Sequence, residues 1–182
     1  MIPAATVSGV LMTADAAVLL LVDLQERLAP VIHQGDRVID RTVRLAEAAT
    51  LLGVPVLATE QIPEKLGPTV EPLAGYPHLV THKSSFGADP GGLVPPGRSE
   101  IVVTGMEAHV CVLQTTLRLI EDGHRVLLAA DAVGSRDPED RAAALDRARA
   151  AGAEIVTSEM VLFEWLRDAT HPRFREVHKL LK

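Results

Sequence analysis

The segment TGMEAHVCVLQTTLRL (104–119) holds the one cysteine of the chain, Cys111, just after a glycine turn and ahead of an apolar helical run. A lone cysteine is either a nucleophile or a small buried hydrophobe. As a nucleophile it must shed its proton, because the thiolate is the reactive form and a free thiol titrates near about 8.5. A helix N-terminus or a nearby cation favours the thiolate, and a carboxylate can take the proton. Two groups of the right type follow apolar runs elsewhere in the chain: Asp23 closes AAVLLLVD (16–23), and Lys83 follows HLVTH (78–82). Taken singly, Asp23 is equally a turn or cap residue and Lys83 a solvated surface cation.

Those three residues can meet only if the fold brings distant strand ends together. Short runs rich in Val, Ile and Leu recur at 16–23, 55–59, 100–105, 125–131 and 153–158, with a weaker one at 78–82. Such runs predict strands covered on both faces. Between them, Val38, Thr42, Leu45, Ala49 and Leu52 draw one helical stripe that ends at Gly53, with Pro55 just beyond. A second helix is predicted over 111–121, and a third over 138–151 with Asp137 as N-cap and Pro138 in its first turn. Two shorter helices, 158–167 and 173–182, follow. Alternation of this kind predicts a doubly wound, Rossmann-like, three-layer α/β/α domain with six mostly parallel strands. It occupies 16–182, after a lead-in segment, 1–15. Ligands bind such sheets outside the carboxyl ends of the strands. That edge includes Asp23, the end of 78–82, the 104–111 turn and Asp131. The Gly- and Pro-rich stretch GADPGGLVPPG (87–97) is a candidate wall or lid beside it.

Several functions are disfavoured by composition and motif. The net charge of −6 and an aromatic content of 3% offer neither a cationic footprint nor a stacking platform for nucleic acid. No apolar run approaches the roughly 20 residues that span a bilayer, and no signal-peptide pattern is evident, so a reducing, cytoplasmic setting is expected. A glycine-rich dinucleotide turn, a P-loop and HExxH are all missing, and the histidines are dispersed. An aspartyl phosphotransferase built on Asp23 is weakened by Gln25, where a second acid would be expected.

The segments LLLVDLQERLAPVI (19–32), THKSSF (81–86), VVTGMEAHVCVLQTTLRLIEDGHRVLLAADAVGSR (102–136) and TSEMVLFEWL (157–166) resemble the isochorismatase-like cysteine hydrolases. The tail DATHPRFREVHKLLK (168–182) resembles a narrower group within them, the small isochorismatase-domain-containing proteins. The resemblance implies an Asp–Lys–Cys triad at Asp23, Lys83 and Cys111. It also implies a cis peptide between Met106 and Glu107, with the backbone N–H groups of Glu107 and Cys111 as an oxyanion hole. Gln25, Phe86 and His109 are candidate substrate-pocket residues; Gln25 could instead cap a helix, and Phe86 could belong to the core. The metal-binding Asp-x-His and further His of nicotinamidases have no counterpart in ATEQIPEKLGPT (58–69). The resemblance therefore implies no metal and no cofactor. A retained cysteine points to acyl chemistry on an amide, carbamoyl or ureido group of a small molecule, through a thioester, with the sulfur ionised and accessible. Members of the family are commonly oligomeric, which implies a homo-oligomer, dimer or larger. The rival expectation is a non-catalytic oligomeric binding or scaffold protein that keeps the fold.

Overall fold

The first strand, β1 (Ala17–Val22), is buried along its whole length. Alternation sorts its side chains: Ala17, Leu19 and Leu21 join one apolar cluster, and Val18, Leu20 and Val22 the other. A strand with two apolar faces needs a covering layer on each. The computed structural model, which describes residues 10–89 and 94–181, supplies both. The helix α1 (Gly35–Leu52) packs its buried Val38, Leu45, Ala46 and Ala49 on the first face. The opposite face meets Leu113 and Leu119 of α3 (Leu113–Glu121) and Ala144 and Ala148 of α4 (Pro138–Ala150). A single short turn of helix, α2 (Pro63–Leu66), lies between these layers in sequence.

The remaining strands are β2 (Val56–Gln61), β3 (Leu79–Lys83), β4 (Glu100–Met106), β5 (Arg125–Gly134) and β6 (Glu154–Val156). They form one six-stranded sheet in the order β3-β2-β1-β4-β5-β6. Every pairing is parallel. This is the doubly wound order, and it reverses between β1 and β4, which opens the ligand crevice at their carboxyl ends. The run 78–82 reads weakly because β3 is an edge strand whose side chains stay largely exposed. Pairing of β4 with β5 slips between Val103 and Gly105, so β5 bulges near its carboxyl end.

Local punctuation agrees with the sequence. Gly53 ends α1 in the left-handed region at φ 70°, and its N–H reaches the carbonyls of Ala49 and Thr50. Asp137 caps α4 by accepting from the Glu139 N–H at 2.8 Å. The C-terminal apolar residues pack mostly within the chain. Val161, Leu162, Trp165 and Leu166 of α5 (Ser158–Leu166) and Val177 of α6 (Phe174–Lys179) are buried in the α1 cluster, whereas Met160 is 46% exposed. Among the described residues no helix is long and apolar enough to cross a membrane. Part of the proposed lid, 90–93, and most of the lead-in segment, 1–9, lie outside the described residues.

Gly105 permits the closest contact at the crevice. Its φ of 135° suits glycine, and a Cβ there would collide with the Val22 carbonyl of β1. Gly105→Ala should therefore cost about 3 kcal/mol or more in urea unfolding, from combined backbone strain and overpacking. Gly75→Ala, where an added Cβ meets nothing within 4 Å, should stay within about 0.5 kcal/mol of the parent. Equal stability of the two variants would refute this account.

Candidate active site

At the end of β1 the chain turns through Asp23, which adopts φ 52° and donates its N–H to the Thr59 carbonyl at 3.1 Å. Aspartate tolerates this region better than most residues. The turn leaves the Asp23 carboxylate fully buried at the head of the central strand. Thr59 Oγ1 donates to Oδ1 at 2.7 Å, and Lys83 Nζ donates to Oδ2 at 2.6 Å. Only 6% of the Lys83 side chain is exposed. Its ammonium also reaches Gln61 Oε1 at 2.7 Å and the Phe86 carbonyl at 2.9 Å, with a longer contact to the Ser85 carbonyl at 3.3 Å. Three strand ends thus converge on one ion pair.

Cys111 comes from the far side of the switch point. After β4, residues Ala108–Val112 form a π-helical turn that runs directly into α3. The Val112 N–H bonds to the Glu107 carbonyl at 3.2 Å, five residues back, which widens the turn. Cys111 lies close enough to Asp23 and Lys83 for both charges to act on its thiol, so the structure brings the three candidate catalytic residues into one neighbourhood. The Met106–Glu107 peptide bond is cis. Glu107 and Cys111, the candidate oxyanion donors, both lie on the segment that leads into this turn and forms it.

The state of the sulfur departs from expectation. Cys111 is only 6% exposed, and its thiol is pushed up to about 12. Burial is the largest cause, followed by the negative charge of Asp23; Lys83 opposes them without prevailing. The expected accessible sulfur is therefore corrected to a buried one, in surroundings that favour the thiol over the thiolate. A thiolate packed against a carboxylate would set two like charges together in a site closed to water.

The three candidate pocket residues sit in different surroundings. Gln25 is fully buried, and its amide is engaged by backbone: Nε2 donates to the carbonyls of Gln61 at 3.1 Å and Gly67 at 2.7 Å, and Oε1 accepts from the Gln61 N–H at 2.8 Å. It braces the end of β2 and caps no helix. Phe86 is 56% exposed, which removes the core reading; its carbonyl holds Lys83. The His109 ring turns to the β5–α4 connection, with Nδ1 2.9 Å from Ser135 Oγ and Nε2 3.6 Å from Asp140. Asp131 lies at the strand-end edge but binds Ser158 through its N–H at 2.7 Å and its hydroxyl at 2.5 Å.

Thr59 and Gln61 are the site residues that sequence reasoning missed. They sit two apart in β2, and alternation sends them to the same face, toward Asp23 and Lys83. Glu60 points the other way, to Thr69 and to His82, whose Nε2 is 3.2 Å from it. Among the described residues no group of three or more His, Cys, Asp and Glu side chains gathers as a metal cage.

This arrangement sets the direction of thiol reactivity. Alkylation of Cys111 by iodoacetamide should be slow at neutral pH and should rise steeply toward alkaline pH, since the thiolate is scarce well below about 12. Asp23→Asn removes an influence that raises the thiol and should move the alkylation profile to lower pH. Lys83→Ala should move it higher. Mass-spectrometric rates across pH decide the matter; coincident profiles for the parent and Asp23→Asn would refute the electrostatic account.

The isochorismatase domain model matches residues 17–160, which takes in all the strands and the three converging residues. Isochorismatase domain-containing protein 2 of Danio rerio is 39% identical over 176 residues, covering 93% of this chain and 89% of that protein. The structure of the MAR1 ribonuclease from Caenorhabditis elegans superposes with a TM-score of 0.89 at 35% identity, covering 93% of this chain and 91% of that one. The YcaC gene product of Escherichia coli, described as an octameric hydrolase of unknown specificity, shares the fold with a TM-score of 0.81 at 23% identity, over 94% and 96% of the two chains. A family model over most of the chain, relatives aligned nearly end to end and a sheet of the same architecture converge on one conclusion: this chain belongs to the isochorismatase family.

Proposed function

We propose that the chain is a cofactor-free cysteine hydrolase that cleaves an amide, carbamoyl or ureido C–N bond in a small molecule. Membership of the isochorismatase family supports a hydrolase-type function. The observation that supports the finer reading is one thiol within the field of a carboxylate and an ammonium that are themselves 2.6 Å apart.

In this reading Cys111 Sγ attacks the substrate carbonyl carbon while Asp23 takes the thiol proton. Proton transfer during attack removes any need for a standing thiolate, which suits a thiol as reluctant as this one. The carbonyl oxygen becomes an oxyanion, received by the backbone N–H groups of Glu107 and Cys111. Collapse breaks the C–N bond, and the leaving nitrogen takes the proton from Asp23. Water then attacks the thioester and gives a proton to Asp23. The second collapse frees the acid product and returns that proton to sulfur. Lys83 orients the carboxylate throughout and offsets its charge. A homo-oligomer, dimer or larger, is part of the reading, supported by the exposed apolar side chains of Phe86, Met160 and Phe163. The ribonuclease name of the nematode structure is not adopted, because RNA binding rests on cationic surface and this chain carries −6.

One observation favours the rival reading of a non-catalytic binding or scaffold protein: the 6% exposure of Cys111. A screen of the purified protein against small amides and N-carbamoyl compounds separates the two. Ammonia or amine release should vanish in Cys111→Ala and fall by at least about 100-fold in Asp23→Asn, the scale of lost general acid–base catalysis. Turnover retained by Cys111→Ala would sink the mechanism. No turnover in the parent, with Cys111 closed to small alkylating reagents, would establish the rival.

A further inference from the structure

A second cleft opens on the same edge of the sheet, at the end of β5. It encloses about 330 Å³ and is lined by His33, Arg37, Asp131, Pro138, Arg141 and Thr157 among others. Two of these residues are guanidinium bearers. Arg141 is half-buried; its Nε donates to the Val133 carbonyl at 2.9 Å and one Nη to the Ala130 carbonyl, which holds the fork in place. Of the five N–H donors of a guanidinium, that leaves three for a ligand, two on Nη1 and one on Nη2. Arg37 is exposed and reaches only Gln34 Oε1, at 3.5 Å.

The positive charge there is poorly balanced. Burial and then the charge of Arg37 lower the Arg141 pKa, which places the two cations within each other's field. Asp131 offsets them in part, but its oxygens already accept from Ser158, and Arg41 Nε lies 3.8 Å away. Neighbouring carboxylates are turned elsewhere: Asp137 caps α4, and Asp140 lies by His109. Among the described residues neither Arg37 nor Arg141 makes an ion pair. An anion held between two like charges would relieve their repulsion.

Backbone adds to the same field. The cleft is lined by Gln34, Pro138 and Thr157, which begin α1, α4 and α5, helices of 18, 13 and 9 residues. Helix N-termini carry partial positive charge, and these lie beside the two guanidiniums. We infer that this cleft binds a small oxyanion, a phosphate or a dicarboxylate, with Arg37 and Arg141 as its charged ligands. The inference goes beyond the hydrolase reading and does not depend on it.

The test is calorimetric titration of the full chain with inorganic phosphate and, separately, with succinate, against chloride at matched ionic strength. Saturable binding of at least one oxyanion is expected, and the arm that binds identifies its chemistry. Arg37→Gln, at an exposed position, should weaken it at least tenfold, and Arg141→Lys, which keeps charge but loses the fork, should weaken it severalfold. Arg147→Glu, exposed on α4 and outside the cleft lining, should bind as the parent does. The inference falls if neither oxyanion saturates, if Arg37→Gln binds unchanged, or if Arg147→Glu loses affinity equally. Cys111→Ala should bind the oxyanion like the parent, so loss of hydrolysis and loss of this site are read separately.

Discussion

The structure turns on one ion pair with almost no water around it. Asp23 is fully buried, and the Lys83 side chain is 6% exposed, with 2.6 Å between their charged atoms. Bringing two such charges out of water is costly, and their attraction repays it only when the remaining hydrogen-bonding capacity is met. Here it is met by Thr59 for the carboxylate, and by Gln61 and the Phe86 carbonyl for the ammonium. The pair joins the end of the central strand to the end of the edge strand across β2. Losing either partner strands a buried charge, a change that costs about 3–5 kcal/mol in buried pairs generally. Local stability and the proposed chemistry therefore rest on the same contact.

The same environment explains the character of the sulfur. A site dry enough to make the pair strong is also dry enough to disfavour a second anion, so Cys111 is pushed up to about 12. Lys83 can balance one negative charge well but not two. The proposed transfer of one proton between sulfur and carboxylate meets this constraint, because it leaves the total charge of the cluster unchanged. The π-helical turn serves this by setting the sulfur beside the pair at the start of α3. The turn is also tied down at its back, where Arg136 Nε meets Glu107 at 2.9 Å and His109 meets Ser135 at 2.9 Å. Both ties run to the β5–α4 connection, so Cys111 is positioned from two strands.

How much of this was legible in advance differs by element. Strands buried on both faces announce themselves as unbroken apolar runs, and β1, β2, β4 and β5 begin within a residue of where those runs do. The edge strand β3 read weakly because exposed side chains need no apolar pattern. Helix ends at Gly53 and Asp137 followed from local chemistry, since left-handed glycine and a carboxylate cap act within a few residues. Thr59 and Gln61 went unseen because a hydroxyl and an amide at a strand end have no signature until their partners are in place. The backbone contacts of Gln25 and the Ser135 contact of His109 are hidden for the same reason: proximity in sequence to Asp23 or Cys111 does not say which way a side chain turns.

By itself the amino-acid sequence determined the strand and helix alternation, the doubly wound class and the three residue types at strand ends that acid, base and nucleophile require. Those properties depend on near neighbours and on hydrophobic periodicity, which a linear chain records. The tertiary structure alone decided that the thiol is buried among groups that raise its pKa, that Gln25 braces backbone, and that two arginines share a cleft with three helix starts. Desolvation, charge balance and side-chain direction are properties of everything that surrounds a group. In this chain those surroundings come from residues 36 to 104 positions away, as the Thr59 hydroxyl on Asp23 and Arg141 beside Arg37 show.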